Sequence, residues 1–326
     1  MTQTFARHRR LRGSAAIRDL MRETRLHPHD LIAPLFVTDA AALVGPVDNL
    51  PGVRRYHVDE IAAAASEAVA AGVRAVILFG VPATKDDVGS AAWRDDGVIV
   101  KAIRAVRDAH ADLVIIADVC LCQYTTHGGC SVLVNGAPSN DETLVRLANA
   151  SVAYAAAGAT LVAPSGMMDG AVSSIRYALD QNGHGGVGIL AYAVKHASAF
   201  YGPFRDAARS APAAGNRESH QLDPANAREA LREAASDVAE GADIIMVKPA
   251  LTNLDTLVRL RDAHPATPLA AYEVSGEYAM LQAAADRGWL DERAAALESL
   301  TAIKRAGADA IISYRAIKVA RWLRDA

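Results

Sequence analysis

Short apolar runs alternate with longer amphipathic or alanine-rich stretches along most of this chain. A short apolar run bounded by Gly or Pro is typical of a buried strand, and a longer periodic stretch is typical of a helix. The predicted strands are residues 31–37, 73–79, 113–119, 159–163, 188–195, 243–248, 269–274 and 310–314. The predicted helices are residues 58–71, 98–109, 142–157, 172–179, 226–240 and 255–264, helical segments within 278–306, and a last helix that ends near residue 323.

The regular alternation of strand and helix favours a (β/α)₈ TIM barrel, which is an α/β fold. Gly72, Gly158, Gly241 and Gly307 come just before predicted strands and suit the ends of the preceding helices. A doubly wound open sheet is the alternative, but the glycine-rich fingerprint of nucleotide binding does not follow the first strand. No linker-like composition divides residues 30–326, which we expect to form a single catalytic barrel domain.

Residues 1–29 precede the first predicted strand and are rich in arginine. The arginines are Arg7, Arg9, Arg10, Arg12, Arg18, Arg22 and Arg25. The composition leaves two interpretations open, a disordered tail or an N-terminal arm that packs on a partner subunit.

Composition excludes several classes of protein. The chain has 326 residues, a formal net charge of −3 and 51% hydrophobic residues, so it lacks the basic surface expected of a nucleic-acid-binding protein and is not disordered. No apolar run is long enough for a membrane span, and residues 1–10 lack the apolar core of a signal peptide. We therefore expect a cytoplasmic enzyme that binds neither nucleic acid nor membrane.

Two predicted strands end in a lysine, Lys195 and Lys248. Burial lowers the pKa of a lysine and leaves a neutral, nucleophilic amine near neutral pH. A lone lysine at a strand end more often extends its amine into solvent. A second lysine at the same place favours a shared reactive site, where each amine would lower the pKa of the other by repulsion.

The active site of a barrel lies at the C-terminal ends of its strands, so the residues found there test the fold prediction. These positions carry acids, hydroxyl groups, aromatic rings and the two lysines. They are Phe79, Asp118, Ser165, Asp169, Lys195, Tyr201, Lys248, Tyr272, Ser275, Glu277, Ser313 and Tyr314. Any one of these residues alone is commonly structural, but together they indicate a catalytic centre.

All three cysteines of the chain, Cys120, Cys122 and Cys130, lie in one segment after the third predicted strand. Three thiolates with a fourth position left open are typical of a catalytic zinc ion. Buried free thiols and a redox pair are the alternatives. His127 is a candidate fourth ligand, but its glycine neighbours also suit a turn, so we leave it out of the ligand set.

A long irregular segment, residues 201–224, follows Lys195, and Arg205 and Arg217 lie within it. Loops of this length in a compact domain are often lids over an active site. A guanidinium group binds a carboxylate through two parallel hydrogen bonds, although a single arginine is more often simply solvated. The place of both arginines beside Lys195 favours binding of a substrate carboxylate.

Several long motifs resemble one enzyme family. They are residues 78–82, 118–130, 140–144, 163–170, 195–205, 246–249 and 274–278. From about residue 10 to the C-terminus, the chain resembles porphobilinogen synthase, also called 5-aminolevulinate dehydratase. The resemblance implies a barrel with an arm that embraces a neighbouring subunit, and a homo-octamer. It also implies the condensation of two 5-aminolevulinate molecules to porphobilinogen, with loss of water, in tetrapyrrole (heme) biosynthesis.

The resemblance also implies roles for individual residues. Lys248 would form a Schiff base with the first substrate and Lys195 would act on the second, with Asp118 and Ser165 as further catalytic residues. Ser275 and Tyr314 would hold the first carboxylate, and Arg205, Arg217 and Gln221 the second. Tyr201, Tyr272 and Phe79 would complete the substrate pocket. Cys120, Cys122 and Cys130 match the Zn²⁺ version of the metal loop, and Glu233 matches a position that binds an allosteric Mg²⁺ in some members.

Two departures from the family pattern lie next to the second substrate. Glu218 stands where the family has a basic residue, and His220 stands where it has tyrosine. They leave open a divergent paralogue with another substrate or weak activity. A different Schiff-base aldolase would need one lysine and no metal, and a zinc-binding regulatory homologue would have no reason to keep both lysines. The two lysines and the cysteine segment therefore favour the enzyme.

Overall fold

Eight parallel strands form a closed barrel in the computed structural model, which describes residues 5–212 and 217–324. Each strand pairs with the next along the chain, and the last pairs with the first through Leu31 with Ile311 and Ile32 with Ile312. The strands are β1 (Leu31–Thr38), β2 (Ala75–Val81), β3 (Val114–Val119), β4 (Leu161–Pro164), β5 (Gly188–Lys195), β6 (Ile244–Lys248), β7 (Leu269–Glu273) and β8 (Ala310–Ser313).

Helices accompany the barrel, and most of them cover the outer face of its sheet. They are α1 (Ala15–Leu20), α2 (Ile61–Ala71), α3 (Val98–Ala109), α4 (Asn140–Ala157), α5 (Ala171–Gln181), α6 (Gly202–Ala207), α7 (Ala227–Glu240), α8 (Leu254–Ala263), α9 (Ser275–Asp286), α10 (Glu292–Arg305) and α11 (Ala316–Arg324). Short 3₁₀ turns occupy His8–Arg12, Pro28–Asp30, Ala41–Leu43, Val58–Glu60, Ser90–Ala92, Ala199–Tyr201 and Leu251–Asn253. Gly72, Gly158 and Gly241 end α2, α4 and α7 in left-handed conformations, as the sequence predicts.

Buried side chains form two layers because successive residues of a strand point to opposite faces of the sheet. The outer layer lies between strands and helices, and it includes Val37 and Leu78. The inner layer fills the barrel and includes Phe36, Phe79 and Met246. Side chains at the C-terminal ends of the strands, which we call the upper end of the barrel, therefore face a common space above this inner layer.

A bulge in β5 interrupts the alternation just before Lys195. Ile245 pairs with Ala191, but Val247 pairs with Val194 and Lys248 with Lys195, so β5 has one extra residue between these pairs. Ala193 and Val194 consequently both pack in the outer layer. Strict alternation from Tyr192, which packs in the inner layer, would send Lys195 outward. The bulge reverses this direction and makes Lys195 the neighbour of Lys248.

The predicted barrel is confirmed, with strand ends that differ from the prediction by one or two residues. Two short hairpins were not predicted: Gly45–Pro46 with Arg54–His57, and Val132–Val134 with Ala137–Ser139. The interpretation of residues 201–224 as wholly irregular was wrong, because α6 begins directly after Tyr201. Residues 213–216 of that segment, 1–4 of the predicted arm and 325–326 lie outside the described residues.

The remaining N-terminal residues contain a 3₁₀ turn and the helix α1, both with exposed side chains. Exposed apolar residues in this segment include Phe5, Leu11 and Leu20. Among residues 5–212 and 217–324, no helix has both the length and the apolar composition needed to cross a membrane.

The bulge predicts the stability of valine variants in β5. We expect Val194→Ala to lower the free energy of unfolding by about 2 kcal/mol, since its side chain is fully buried against the helices. Urea unfolding followed by circular dichroism measures this change. Val247→Ala, on the paired strand, is the matched control and should cost a similar amount. If Val194→Ala alone lowers the free energy of unfolding by less than roughly 0.5 kcal/mol, the Val194 side chain is exposed to solvent and the bulge is wrongly placed.

Candidate active site

Lys195 and Lys248 lie side by side at the upper ends of β5 and β6, where they are register partners. Lys195 is 6% exposed and Lys248 is 4% exposed, so the burial predicted for both residues is confirmed. The amine of Lys195 donates a hydrogen bond to the carbonyl oxygen of Ser165. The two lysines end different apolar segments of the sequence, and the pairing of β5 with β6 brings them together.

Aromatic rings enclose the amine of Lys248. Its Nζ lies 4.3 Å from the ring centroid of Tyr272, 4.8 Å from that of Phe204, and 5.2 Å from those of Tyr192 and Tyr201. Burial, and then the nearby charge of Lys195, lower the pKa of Lys248 to about 7. A large share of this amine is therefore uncharged at neutral pH, as the sequence analysis expects for a buried lysine.

Tyr192 contacts both lysines and was missed by the sequence analysis. The Nζ of Lys195 lies 5.6 Å from the centroid of its ring, on which Lys248 also packs. Its hydroxyl is buried and has no hydrogen-bond partner among the residues that the structure describes. The sequence gives no sign of this contact, because in a regular strand the side chains of Tyr192 and Lys195 would point to opposite faces. Only the bulge in β5 puts them on the same face.

Asp118 and Ser165 lie between Lys195 and the cysteines. The Asp118 carboxylate is buried and accepts a hydrogen bond of 2.9 Å from Nε2 of Gln123. Burial raises the pKa of Asp118, while hydrogen bonds from Gln123 and Ser165 oppose this change. The predicted grouping of Asp118, Ser165 and Lys195 is therefore present in the structure.

The three cysteines converge on one buried point. The sulfur atoms of Cys120, Cys122 and Cys130 all lie within 4.8 Å of one another, and those of Cys120 and Cys122 are 3.4 Å apart. Sulfur ligands about 2.3 Å from a tetrahedral ion stand roughly 3.8 Å apart, so the cluster fits a thiolate-bound metal. His127 is not part of this cluster, and its Nδ1 instead accepts a hydrogen bond from the Gly129 N–H.

Arg205, Arg217 and Gln221 line one cavity of about 620 Å³, which also contacts Glu218. Arg217 is buried, and its Nη2 donates to the carbonyl oxygens of Ser210 and Gly128, the latter at 2.9 Å. Burial opposes the charge of Arg217, but negative charge on the cysteine sulfur atoms outweighs burial and raises the pKa of this arginine. Burial, followed by the charge of Arg217, lowers the pKa of Arg205.

His220 lies near the same cluster of charges. Burial, together with the charges of Lys195 and Arg217, lowers the pKa of His220 to about 4. The ring is therefore neutral at neutral pH, and its Nε2 has no partner among the described residues. His220, which stands where the family has tyrosine, thus adds no positive charge to the pocket.

Ser275 and Tyr314 each hydrogen-bond to a residue whose aromatic ring packs on Lys248. The hydroxyls of Tyr314 and Tyr272 are 2.9 Å apart. Ser275 Oγ accepts a hydrogen bond of 2.9 Å from Phe204 N–H and donates one of 3.2 Å to the Phe200 carbonyl. This serine therefore already holds the segment that precedes and begins α6.

Phe79 and Glu233 occupy different surroundings. The ring of Phe79 is buried in the inner layer, with its centroid 5.2 Å from that of Phe204, the ring that packs on Lys248. Glu233 lies on α7 and lines two cavities with Asp169, one of which Tyr192 also lines and the other Gln221. Burial, followed by the charge of Asp169, raises the pKa of Glu233. Glu233 thus lines cavities that adjoin the candidate site, although neither lysine lines them.

The arrangement suits chemistry on a carbonyl compound that carries a carboxylate. A buried amine with a pKa near 7 can attack a carbonyl carbon, and a second amine lies beside it. The arginines of the adjoining cavity and the hydroxyl groups of Ser275 and Tyr314 can bind carboxylates. The thiol cluster adds a place for a metal ion next to the second amine.

Comparisons with known proteins agree with this chemistry. The family model of delta-aminolevulinic acid dehydratase matches residues 5–322. A curated relative of that name from Halalkalibacterium halodurans is 52% identical over 322 residues, which cover 99% of this chain and 98% of the relative. Another from Bacillus subtilis is 48% identical over 325 residues and covers 100% of both chains.

A solved structure is similar over the same length. It is delta-aminolevulinic acid dehydratase (porphobilinogen synthase) from Toxoplasma gondii ME49 in complex with the reaction product porphobilinogen. It superposes with a TM-score of 0.96 at 41% sequence identity, and the match covers 99% of this chain and 93% of that one. The chain therefore belongs to the delta-aminolevulinic acid dehydratase family.

Proposed function

We propose that this chain is a porphobilinogen synthase, a hydro-lyase that condenses two molecules of 5-aminolevulinate to porphobilinogen with loss of water. The observation that carries this proposal is the pair of buried lysine amines at the ends of neighbouring strands, with arginines and hydroxyl groups nearby that suit carboxylates. Relatives of the same family, one of them solved with porphobilinogen, support the assignment. The product belongs to tetrapyrrole, and hence heme, biosynthesis.

The first substrate reacts with Lys248 in this proposal. The lone pair of its neutral amine forms a bond to the ketone carbon, and the ketone oxygen leaves as water with one proton from the amine and one from solvent, which yields a positively charged iminium. The rings of Tyr272, Phe204, Tyr192 and Tyr201 face this cation and stabilise it through their negative faces. The enclosure thus tolerates the neutral amine before the reaction and favours the cation after it.

The carboxylate of this first substrate binds Ser275 and Tyr314. Tyr314 offers a hydroxyl next to that of Tyr272, so one of the pair can donate to a carboxylate while it accepts from the other. Ser275 must turn its proton away from the Phe200 carbonyl to donate to the substrate. Binding therefore exchanges one hydrogen bond of Ser275 for another.

Lys195 acts on the second substrate molecule. Arg205, Arg217 and Gln221 line the adjoining cavity, and their charge and hydrogen-bonding groups suit its carboxylate. Asp118 and Ser165 fix the position of Lys195 and face the place where the second amine would lie. Phe79 and Tyr201 complete the wall that excludes water from both substrates.

The metal is Zn²⁺ in this proposal, with Cys120, Cys122 and Cys130 as its ligands. Three soft thiolates with one position left open favour zinc over magnesium or calcium. When bound, zinc supplies a Lewis acid that stabilises negative charge on a coordinated group of the second substrate. Asp118 and Gln123 hold the segment that leads into this loop.

We further propose Glu233 as a site for a regulatory Mg²⁺ ion. Glu233 and Asp237 lie one turn apart on α7 and share a cavity with Asp169. Burial, followed by repulsion from Glu240 and Glu233, raises the pKa of Asp237 to about 7. A hydrated divalent cation would relieve this repulsion by binding through its waters.

A homo-octamer in the cytoplasm completes the proposal. The exposed apolar side chains of Phe5, Leu11 and Leu20 support a role of residues 1–29 as an arm that contacts a neighbouring subunit. The net charge of −3 agrees with an enzyme that binds small molecules and neither nucleic acid nor membrane.

Covalent trapping tests the role of Lys248. We expect borohydride reduction in the presence of 5-aminolevulinate to attach one substrate to Lys248, detected by mass spectrometry of the digested protein. Lys248→Ala should abolish the adduct and lower turnover by roughly 10³-fold or more, since no other group replaces the nucleophile. Lys101→Ala changes an exposed lysine of α3 and is the control, which should retain both the adduct at Lys248 and normal turnover. Turnover that survives in Lys248→Ala would refute the proposed Schiff base.

The pKa of Lys248 predicts how trapping depends on pH. Below a pH of about 7 the amine is protonated and cannot attack, so the trapping rate should rise as pH increases through 7 and then level off. Lys195→Met removes the neighbouring positive charge and should shift this rise to higher pH, because the pKa of Lys248 then increases. Rates measured from pH 5 to 10 check both statements. A shift to lower pH would contradict the proposed repulsion between the amines.

Metal content tests the cysteine cluster. Each of Cys120→Ser, Cys122→Ser and Cys130→Ser should lower bound zinc, measured by elemental analysis, by about 10-fold or more, because each removes one of three ligands. Ser131→Ala, a buried neighbour outside the cluster, is the matched control and should retain its metal. In the unaltered chain, a chelator should abolish product formation and added zinc should restore it. Activity that is indifferent to the chelator would exclude the proposed zinc.

A further inference from the structure

Glu277 connects two loops at the upper end of the barrel and is 1% exposed. One of its carboxylate oxygens accepts hydrogen bonds from the backbone N–H groups of Leu251 and Thr252, at 2.8 and 3.3 Å. The other oxygen accepts one of 2.8 Å from the N–H of Val274. A single carboxylate thus holds the loop that follows Lys248 and the turn that carries Ser275.

This carboxylate is costly to bury. Burial raises the pKa of Glu277 to about 7, and repulsion from Glu273 adds to the effect, while the three backbone hydrogen bonds oppose it. The nearby cation Arg315 pairs with Glu273 instead. A neutral side chain could cap α9 without the free-energy cost of a buried carboxylate. Capping alone therefore does not explain why position 277 is a glutamate.

The geometry explains why a carboxylate is used. Two oxygens with several lone pairs can accept from both loops at once, whereas Gln has a single acceptor oxygen and its amide group would face an N–H. The residue before Glu277 shows how tightly this turn is placed. A side-chain Cβ at Gly276 would lie 2.6 Å from the Phe200 carbonyl oxygen, so the turn also packs directly on the segment that leads to α6.

We infer that Glu277 is a positioning residue, which holds the Lys248 amine in register with the carboxylate-binding turn at Ser275. The inference rests on the proposed function, because it concerns the first substrate of that reaction. The ketone of this substrate must meet the amine while its carboxylate meets Ser275, so the two loops must keep a fixed separation. A displacement of about 1 Å between reacting groups can lower a rate by roughly 100-fold.

The test compares Glu277→Gln with Glu60→Gln. Glu60 accepts a hydrogen bond of 3.2 Å from the N–H of His57, which caps the 3₁₀ turn before α2, so it is the same type of cap in an exposed place and without a second loop. The rate of borohydride trapping at Lys248 and the urea midpoint are measured for both variants, with 5-aminolevulinate as the probe. Glu277→Asp, which keeps the charge but is one methylene shorter, is the second variant if Glu277→Gln does not fold.

We expect trapping in Glu277→Gln to slow by about 10- to 100-fold, and kcat to fall more than KM rises, while Glu60→Gln traps at the normal rate. Glu277→Asp should also trap slowly because it cannot reach both loops. If the Glu277 variants unfold at lower urea but trap at the normal rate, the residue is only structural and the inference is wrong. If the unaltered chain forms no adduct at Lys248, the proposed function itself fails.

Discussion

An amine that must remain uncharged while it is removed from water is the constraint on which the candidate site depends. Lys248 meets it because aromatic rings from different parts of the chain replace the water around its Nζ. Those rings come from β5, β7 and the segment at the start of α6, so the closed barrel must form before the enclosure exists. The low pKa of Lys248 is therefore a property of the whole fold and not of the strand that carries it.

The second lysine requires a further adjustment of the sheet. Lys195 has the wrong position in the alternation of β5 to share a face with Tyr192, and a bulge of one residue corrects this. A bulge disrupts local pairing and has to be stabilised by its surroundings, here by the outward packing of Ala193 and Val194 against the helices. The layer that stabilises the fold thereby sets the direction of a residue in the proposed catalytic pair.

The sequence predicts the parts of this structure that depend on local patterns. Apolar runs mark the barrel strands, and the lysines at the ends of two of them are visible without a structure. Cys120, Cys122 and Cys130 are close in sequence, so their convergence is also predictable. Tyr192 and Glu277 are different, because their importance arises from contacts with residues far away in the chain. The helix α6 was missed because the glycine and proline at its start are as common in loops.

Arg217 joins two features that are usually considered separately. Its guanidinium lines the proposed carboxylate cavity, hydrogen-bonds to the carbonyl of Gly128 in the cysteine loop, and interacts with negative charge on the cysteine sulfur atoms. An evolutionary exchange of those thiolates for carboxylates, which a harder metal favours, would keep their negative charge but change the size and position of the groups that this arginine faces. Metal preference and substrate affinity in such a protein cannot diverge independently, and substitutions in the loop should be accompanied by substitutions around residue 217.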